Sequence, residues 1–257
     1  MIKNFKEKLA NLGFRLIFFS EIDSTNSEAL RLLKKGAKDG LVIYADFQTK
    51  GRGRKGRVWL ASPQSSLLLS LILEPKIPQN YWGLIPIITG LAGAMAIEKT
   101  IGFKPGLIWP NDIWGKYGKI GGVLVEGYFS EQRKALVSGI GINITQSKDD
   151  FPEEIQNRAS SIFIETGKVI ERERLLFEFL SQFKSLRDIL KSQNYSKIVE
   201  LYSNYDIIKG KEIRIYRQMN TITALSMGID EFGKLKIKYE DKQEAISEGE
   251  IIMLRSR

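Results

Sequence analysis

Gly51-Arg52-Gly53-Arg54-Lys55-Gly56-Arg57-Val58-Trp59-Leu60-Ala61-Ser62-Pro63 is the stretch that decides the fold class of this chain. Its first six residues satisfy the spacing G-x-G-x-x-G. That spacing marks a dinucleotide site only where a helix follows at once, with its N-terminus aimed at the pyrophosphate. Here the loop runs into residues 58–63, an extended piece and a turn, so a doubly wound dinucleotide fold is not expected. The loop needs another explanation. From Lys50 to Arg57, three glycines alternate with five cations. Glycine lets a backbone bend and approach a ligand closely, and guanidinium forks match carboxylate and phosphate oxygens. The residues leave three readings open: a mobile loop that wraps a small anionic ligand, a basic patch for nucleic acid, and a solvated loop with no ligand.

Working outward from this loop, residues 41–45 read as the strand that delivers the chain into it, and residues 67–73 as the strand that follows, ended by Pro75. Upstream, residues 14–19 form a buried strand. A helix follows, with Thr25 as cap, Glu28 reciprocating in a capping box, and Gly36 as the stop. Downstream, a helix over 86–101 leads to residues 107–109, and segments 120–127 and 134–143 read as adjacent strands. Residues 172–191 carry Leu175, Leu176, Phe179, Leu180 and Phe183 on one side of an amphipathic helix. Beyond Asp206, segments 211–216 and 234–239 alternate with period two, separated by turns such as residues 230–233. The expected architecture is α+β. A mixed β-sheet catalytic domain packed with helices occupies residues 1–206, and a small β-barrel occupies residues 207–257.

The chain has 257 residues, enough to bury a full core. It has no cysteine, which excludes disulfides and thiol catalysis, and no histidine, which excludes His-based acid–base catalysis and nearly all zinc or haem chemistry. Residues 1–8 carry charges of both signs and no apolar run, unlike a secretory signal. Residues 77–97 carry no charge, but Pro78 and Pro86 interrupt them, and a buried core helix is expected rather than a membrane span. The net charge of +9 suits anionic partners.

A closing cationic loop suits a reaction that joins two anions, such as a carboxylate and the α-phosphate of ATP. Repulsion between the reactants has to be offset by cations at the point of contact, in a site from which water is excluded. Arg52 and Arg54 on the loop, opposed by Lys119, would do this. Trp59 offers either a face for a purine or a core tryptophan. Asp112, in Trp109-Pro110-Asn111-Asp112, either holds Mg²⁺ on phosphates, accepts a proton from an incoming amine, or merely stabilises a turn. Ser24-Thr25-Asn26 is a helix start that also presents polar groups to a ligand. Gly139-Ile140-Gly141-Ile142-Asn143 is a strand crowded by another backbone, or one that offers Asn143 to the edge of an adenine.

Five motifs occur in the order found in biotin protein ligases: Ser24-Thr25-Asn26; Gln48 with Gly51–Arg57 and Trp59; Trp109-Pro110-Asn111-Asp112; Lys119-Ile-Gly-Gly-Val-Leu-Val-Glu126; and Gly139–Asn143. Further along, Gly228-Ile-Asp230, Gly233-Lys-Leu235 and Gly249 with Leu254-Arg255 resemble that family's SH3-like barrel. The resemblance implies ATP-dependent attachment of biotin to a lysine of a biotin carboxyl carrier protein, through biotinyl-5′-AMP, with biotin and ATP as substrates and Mg²⁺ required. Carried over by position, Ser24, Thr25, Asn26, Gln48, Arg52, Gly53, Arg54 and Lys119 would bind biotin or the adenylate. Trp59, Asn111 and Asn143 would address the nucleotide. Arg54, Lys119 and Asp112 would be catalytic, with Asp112 also the candidate Mg²⁺ ligand. The resemblance further implies a cytoplasmic enzyme and allows a homodimer. About thirteen residues precede the first strand, which suggests the ligase-only type without an N-terminal DNA-binding module. The alternatives are a lipoate- or octanoate-protein ligase and a non-enzymatic nucleic-acid-binding protein.

One departure from the family pattern generates a test. Relatives usually carry a lysine directly before the Trp-Pro-Asn-Asp segment, where this chain has Ile108; Lys116 or Lys119 would compensate. Substituting Ile108→Lys is expected to change the rate of adenylate formation by less than about tenfold. A much larger gain would mean that the natural site is impaired.

Overall fold

The computed structural model describes residues 2–217 and 220–252; Leu254 and Arg255 lie outside them. After helix α1 (Ile2–Asn11), the chain forms β1 (Arg15–Ile22), α2 (Thr25–Lys34), β2 (Leu41–Gln48) and β3 (Ser66–Leu73). Helix α3 (Leu84–Ile101) follows, then β4 (Gly106–Ile108), β5 (Asp112–Trp114), β6 (Lys119–Ser130) and β7 (Arg133–Asn143). The strands build a seven-stranded sheet in the order β1-β2-β3-β7-β6-β5-β4. Only β1 and β2 run parallel, joined through α2, and the remaining pairs are antiparallel. Short helices α4 (Glu153–Gln156) and α5 (Ile162–Thr166) then lead to α6 (Arg172–Lys191) and α7 (Tyr195–Ser203).

Side-chain alternation divides the sheet between two tasks. On one face Val42 and Tyr44 of β2, Leu67, Leu69 and Leu71 of β3, and Ile140 and Ile142 of β7 join the main core with α3 and α6. On the other, Ile43, Ile72, Ala135 and Val137 pack under Ala29 and Leu33 of α2. Further along that second face the aliphatic side chains give way to Ser70 on β3 and to Gly139 and Gly141 on β7. This is where the sheet opens. Since β3 is buried at all eight positions, a polar residue there has to be satisfied by protein neighbours or a ligand.

Helix α3 belongs to the interior. The segment Gln79–Ile101 is apolar and long enough to cross a membrane by composition alone, but most of α3 is covered by the sheet and α6. Its end matches the sequence expectation: Gly102, at φ 74°, closes the helix in the left-handed region. Helix α2 differs from expectation at its start. Its N-cap is Ser24, and no side-chain cap bond forms. The Thr25 hydroxyl is drawn away to Gln48, and Glu28 pairs with Arg31 instead of returning to the helix start.

The C-terminal strands β8 (Glu212–Arg217), β9 (Asn220–Ile229), β10 (Leu235–Tyr239), β11 (Lys242–Ile246) and β12 (Glu250–Ile252) form a five-stranded antiparallel sheet in the order β11-β10-β9-β8-β12. The unit is SH3-like, but no ladder joins β11 to β12 among the described residues, so the expected barrel is not closed by strand pairing. Nor does it stand apart. Ile213, Ile215, Leu235, Ile237 and Ile246 share one hydrophobic cluster with the larger sheet. Trp109, 2% exposed, reaches across and donates from its indole nitrogen to the Gly233 carbonyl at 2.9 Å. Trp109→Phe should therefore cost about 1–3 kcal/mol, through a partly filled site and an unpaired carbonyl. A lowered urea midpoint with a single cooperative transition would confirm that both sheets unfold together.

Candidate active site

All twelve predicted site residues line one cavity of roughly 840 Å³. Its floor is the open face of β3, β6 and β7, and its near wall is the start of α2. The Thr25 N–H and hydroxyl both donate to Gln48 Oε1, at 2.7 and 2.9 Å. The Ser70 hydroxyl lies 2.7 Å from Thr25 Oγ1 and 2.6 Å from Asn26 Oδ1. Asn26 then spends both amide protons on the protein, donating to the Leu124 carbonyl at 3.2 Å and to Glu126 Oε2 at 2.8 Å. A Cβ on Gly139 would sit 2.0 Å from Asn26 Oδ1. The bare backbone at Gly139 is thus what lets this helix start approach the sheet. Ser24 is buried, and its N–H donates to Asp23 Oδ1 at 2.7 Å. The Arg31 guanidinium, hydrogen-bonded to that Asp23 carboxylate, holds its pKa down at about 2.

The nucleotide-type residues cluster at the other end of the cavity. The Trp59 ring lies against the cross-strand pair Gly122 and Gly141. A Cβ on Gly141 would stand 2.6 Å from the indole, and one on Gly122 would stand 3.4 Å from it. The strand glycines are therefore crowded by side chains, Asn26 at Gly139 and Trp59 at Gly141, and not by the backbone expected from sequence. Among the described residues Trp59 Nε1 is buried without a hydrogen-bond partner, and Lys119 Nζ lies 5.9 Å from the centre of the ring. Lys119 is paired with Asp112 at 2.7 Å. Asn143 is 4% exposed, donates to the Ser160 carbonyl at 3.0 Å and accepts from Gln146 at 3.2 Å.

The glycine–arginine segment forms a short hairpin over the cavity. Arg52 bridges to Val58, the Gly53 N–H donates to the Arg57 carbonyl at 2.7 Å, and residues 54–56 make one tight turn. Each arginine is anchored to a different element. Arg52 pairs with Glu126 of β6, Arg54 donates to Asn111 Oδ1 at 2.7 Å, and Arg57 pairs with Glu250 of β12. Burial pulls the Arg54 guanidinium below its ordinary pKa, against the opposing influence of the Asp112 and Glu250 carboxylates. A desolvated cation in this position is poised to gain from an incoming anion. Glu250 is held below its usual value by its bond to Arg57.

Sequence reasoning missed three contributors. Ser70 and Glu126 each join groups more than forty positions away in the chain, and Glu250 comes from the second sheet. The only available signal for Ser70 was a hydroxyl interrupting the aliphatic run of residues 67–73. Ile108 is 4% exposed, part of the main core and also part of the cavity wall. Among the described residues no group of three or more His, Cys, Asp or Glu could hold a metal ion.

Residues 18–143 match the model of the Biotin/lipoate A/B protein ligase family, and residues 209–254 match that of the Biotin protein ligase C terminal domain. The Bifunctional ligase/repressor BirA of Bacillus spizizenii is 32% identical over 90% of this chain and 71% of its own length. The Biotin–[acetyl-CoA-carboxylase] ligase of Mycobacterium tuberculosis is 28% identical, over 96% of this chain and 92% of its own. Among solved structures, the Aquifex aeolicus biotin protein ligase in complex with biotin and ATP superposes with a TM-score of 0.80 at 32% identity. The match covers 94% of this chain and 99% of that one.

The packing of Trp59 against Gly141 can be tested directly. Gly141→Ala would force the indole off the glycine pair, because a Cβ 2.6 Å from the ring cannot be accommodated in place. ATP binding should weaken by roughly tenfold or more, with a change in tryptophan emission. An unchanged ATP affinity would mean that this ring is not part of the nucleotide wall.

Proposed function

The chain belongs to the biotin protein ligase family, and from that premise we propose that it attaches biotin to a lysine of a biotin carboxyl carrier protein in two steps at the cavity described. In the first, a carboxylate oxygen of biotin attacks the α-phosphorus of ATP. The bond to the β-phosphate oxygen breaks, pyrophosphate leaves, and biotinyl-5′-AMP remains. In the second, the amine of the acceptor lysine attacks the acyl carbon, the bond to AMP breaks, and an amide forms. The observation that carries this reading is the convergence of Lys119 and the desolvated Arg54 on one cavity, opposite the uncharged polar floor of Thr25 and Gln48.

The division of labour follows from the chemistry of each end. The floor holds the uncharged ring of biotin, with Ser24, Thr25 and Gln48 as its polar contacts and Asn26 bracing them. Arg52, Gly53 and Arg54 close over the biotin carboxylate and the phosphate as the hairpin lid, and Lys119 meets the same charge from below. In a site emptied of water, these cations are worth far more to the developing negative charge than they would be in solvent. Trp59 forms the adenine wall, with Asn111 and Asn143 holding the strands and loops around it. Mg²⁺ arrives with the phosphates of ATP, and Asp112, a single carboxylate already paired with Lys119, fits that metal's habit of relying on substrate oxygens. Asp112 is also the group placed to take a proton from the incoming amine. The division at 206/207 into a catalytic and a C-terminal SH3-like domain, a homodimer and a cytoplasmic location belong to the same proposal.

The deciding experiment is biotin-dependent exchange of labelled pyrophosphate into ATP by the purified chain with Mg²⁺, run beside lipoate and octanoate. Exchange with biotin alone is expected. Exchange only with lipoate or octanoate would assign the chain to the other branch of the wider family, and no exchange with any acid would refute adenylation at this site.

A further inference from the structure

Glu126 closes the fourth motif of the sequence, and the two-step reaction gives it no task. In the structure its side chain is 25% exposed, and a single oxygen, Oε2, is shared by two donors. One is Asn26 Nδ2, at 2.8 Å, from the floor of the cavity; the other is a guanidinium nitrogen of Arg52, from the lid. Asn26 is itself fixed on its other side, where Oδ1 lies 2.6 Å from the Ser70 hydroxyl, and Ser70 lies 2.7 Å from Thr25. A continuous chain of polar contacts therefore runs from Gln48 and Thr25, through Ser70, whose single proton serves either Thr25 or Asn26, and on through Asn26 and Glu126 to Arg52. We propose that Glu126 is the positioning residue that couples the biotin-binding floor to the cationic lid. This rests on the ligase reading given above.

The argument is one of shared oxygens. The Arg52 side chain is 41% exposed, and an exposed ion pair alone would hold it only weakly. Glu126, however, is oriented by a buried amide that cannot turn without breaking its bonds to Ser70 and the Leu124 carbonyl. The carboxylate is thereby aimed at the place where the hairpin closes. A ligand that tightens Asn26 and Thr25 on the floor tightens Glu126 and, through it, Arg52. A floor loosened by loss of ligand releases the lid in the same way. Such coupling is reciprocal, and it is established by a double-mutant cycle rather than by connectivity.

The test uses the full-length chain loaded with labelled biotinyl-AMP and measures release into excess unlabelled adenylate. Wild type is compared with Glu126→Gln, Arg52→Ala and the double variant. Each single substitution is expected to speed release by roughly tenfold, and the double variant should release no faster than the worse single one. Glu126→Asp, which keeps the charge but withdraws it by one methylene, should fall between wild type and Glu126→Gln. For Glu126→Gln and Glu126→Asp, ATP affinity in the absence of biotin and the melting temperature should stay near wild type, which separates positioning from a general loss of structure. Release by Glu126→Gln at the wild-type rate would sink the proposal, as would single effects that simply multiply in the double variant. Failure of the wild-type chain to form or retain biotinyl-AMP is a different result and would strike at the ligase reading itself.

Discussion

The site depends on a close approach that only a missing side chain permits. At Gly139 the start of α2 comes so near the sheet that a Cβ would lie 2.0 Å from Asn26 Oδ1. From that contact the rest follows. Asn26 becomes buried, which obliges it to find partners, and it finds Ser70 below, the Leu124 carbonyl beside it and Glu126 above. With Asn26 placed, Thr25 is held against Gln48, so the hydroxyl that could have capped the helix serves the cavity floor instead. Two residues along the same strand, Gly141 makes an equivalent clearing for Trp59 with its cross-strand neighbour Gly122 on β6. The period-two alternation that buries aliphatic side chains against α3 and α6 on one face leaves small residues on the other, so core and cavity are written into the same strands.

The lid is anchored by charge, and it shows why a chain with a net charge of +9 places so many cations in one hairpin. Arg52, Arg54 and Arg57 each take a partner from a different part of the structure: β6, the turn before β5, and the C-terminal sheet. Of the three, Arg54 is given, among the described residues, only the side-chain oxygen of a neutral amide, Asn111, and burial lowers its pKa. The two flanking ion pairs fix the hairpin so that the arginine with no carboxylate in direct contact projects into the cavity. The cost of keeping Arg54 partly desolvated is offset when an anion arrives, which is how electrostatic preorganisation works in a water-poor site.

Elements whose signal is local were legible in the sequence. Helix α6 follows the 3.6-residue spacing of Leu175, Leu176, Phe179, Leu180 and Phe183 and spans Arg172–Lys191, as expected. The extended course read for residues 58–63 is likewise local, and the chain after Gly56 contains no helix before β3. The capping box at Thr25 failed for a physical reason: Gln48, twenty-three residues away, competes for the same hydroxyl. The tail is SH3-like as expected, and among the described residues its five strands form one sheet with no β11–β12 ladder, contributing side chains to the main core. The crowding of Gly139 and Gly141 was foreseen, but its agents were not, since Asn26 and Trp59 reach those strands from distant parts of the chain. Ser70 carries no motif, and Glu126, though it ends one, is given no role by the sequence for the same reason, their partners being set by sheet register and not by sequence spacing.

Which donors the protein leaves over says what kind of ligand the cavity takes. Asn26 and Asn143, the candidate recognition residues of the sequence, also bond carbonyls, a carboxylate and neighbouring side chains of the protein. Among the described residues, Gln48 Nε2 makes no hydrogen bond to the protein, while its Oε1 is fixed by Thr25. The indole nitrogen of Trp59 is buried and unpartnered. An N–H left unpaired in a buried position costs about 1–3 kcal/mol until something accepts from it. That donor lies on the Trp59 side of the cavity, near Lys119, so a ligand that fills the cavity has to bring an acceptor to it and negative charge beneath Arg54.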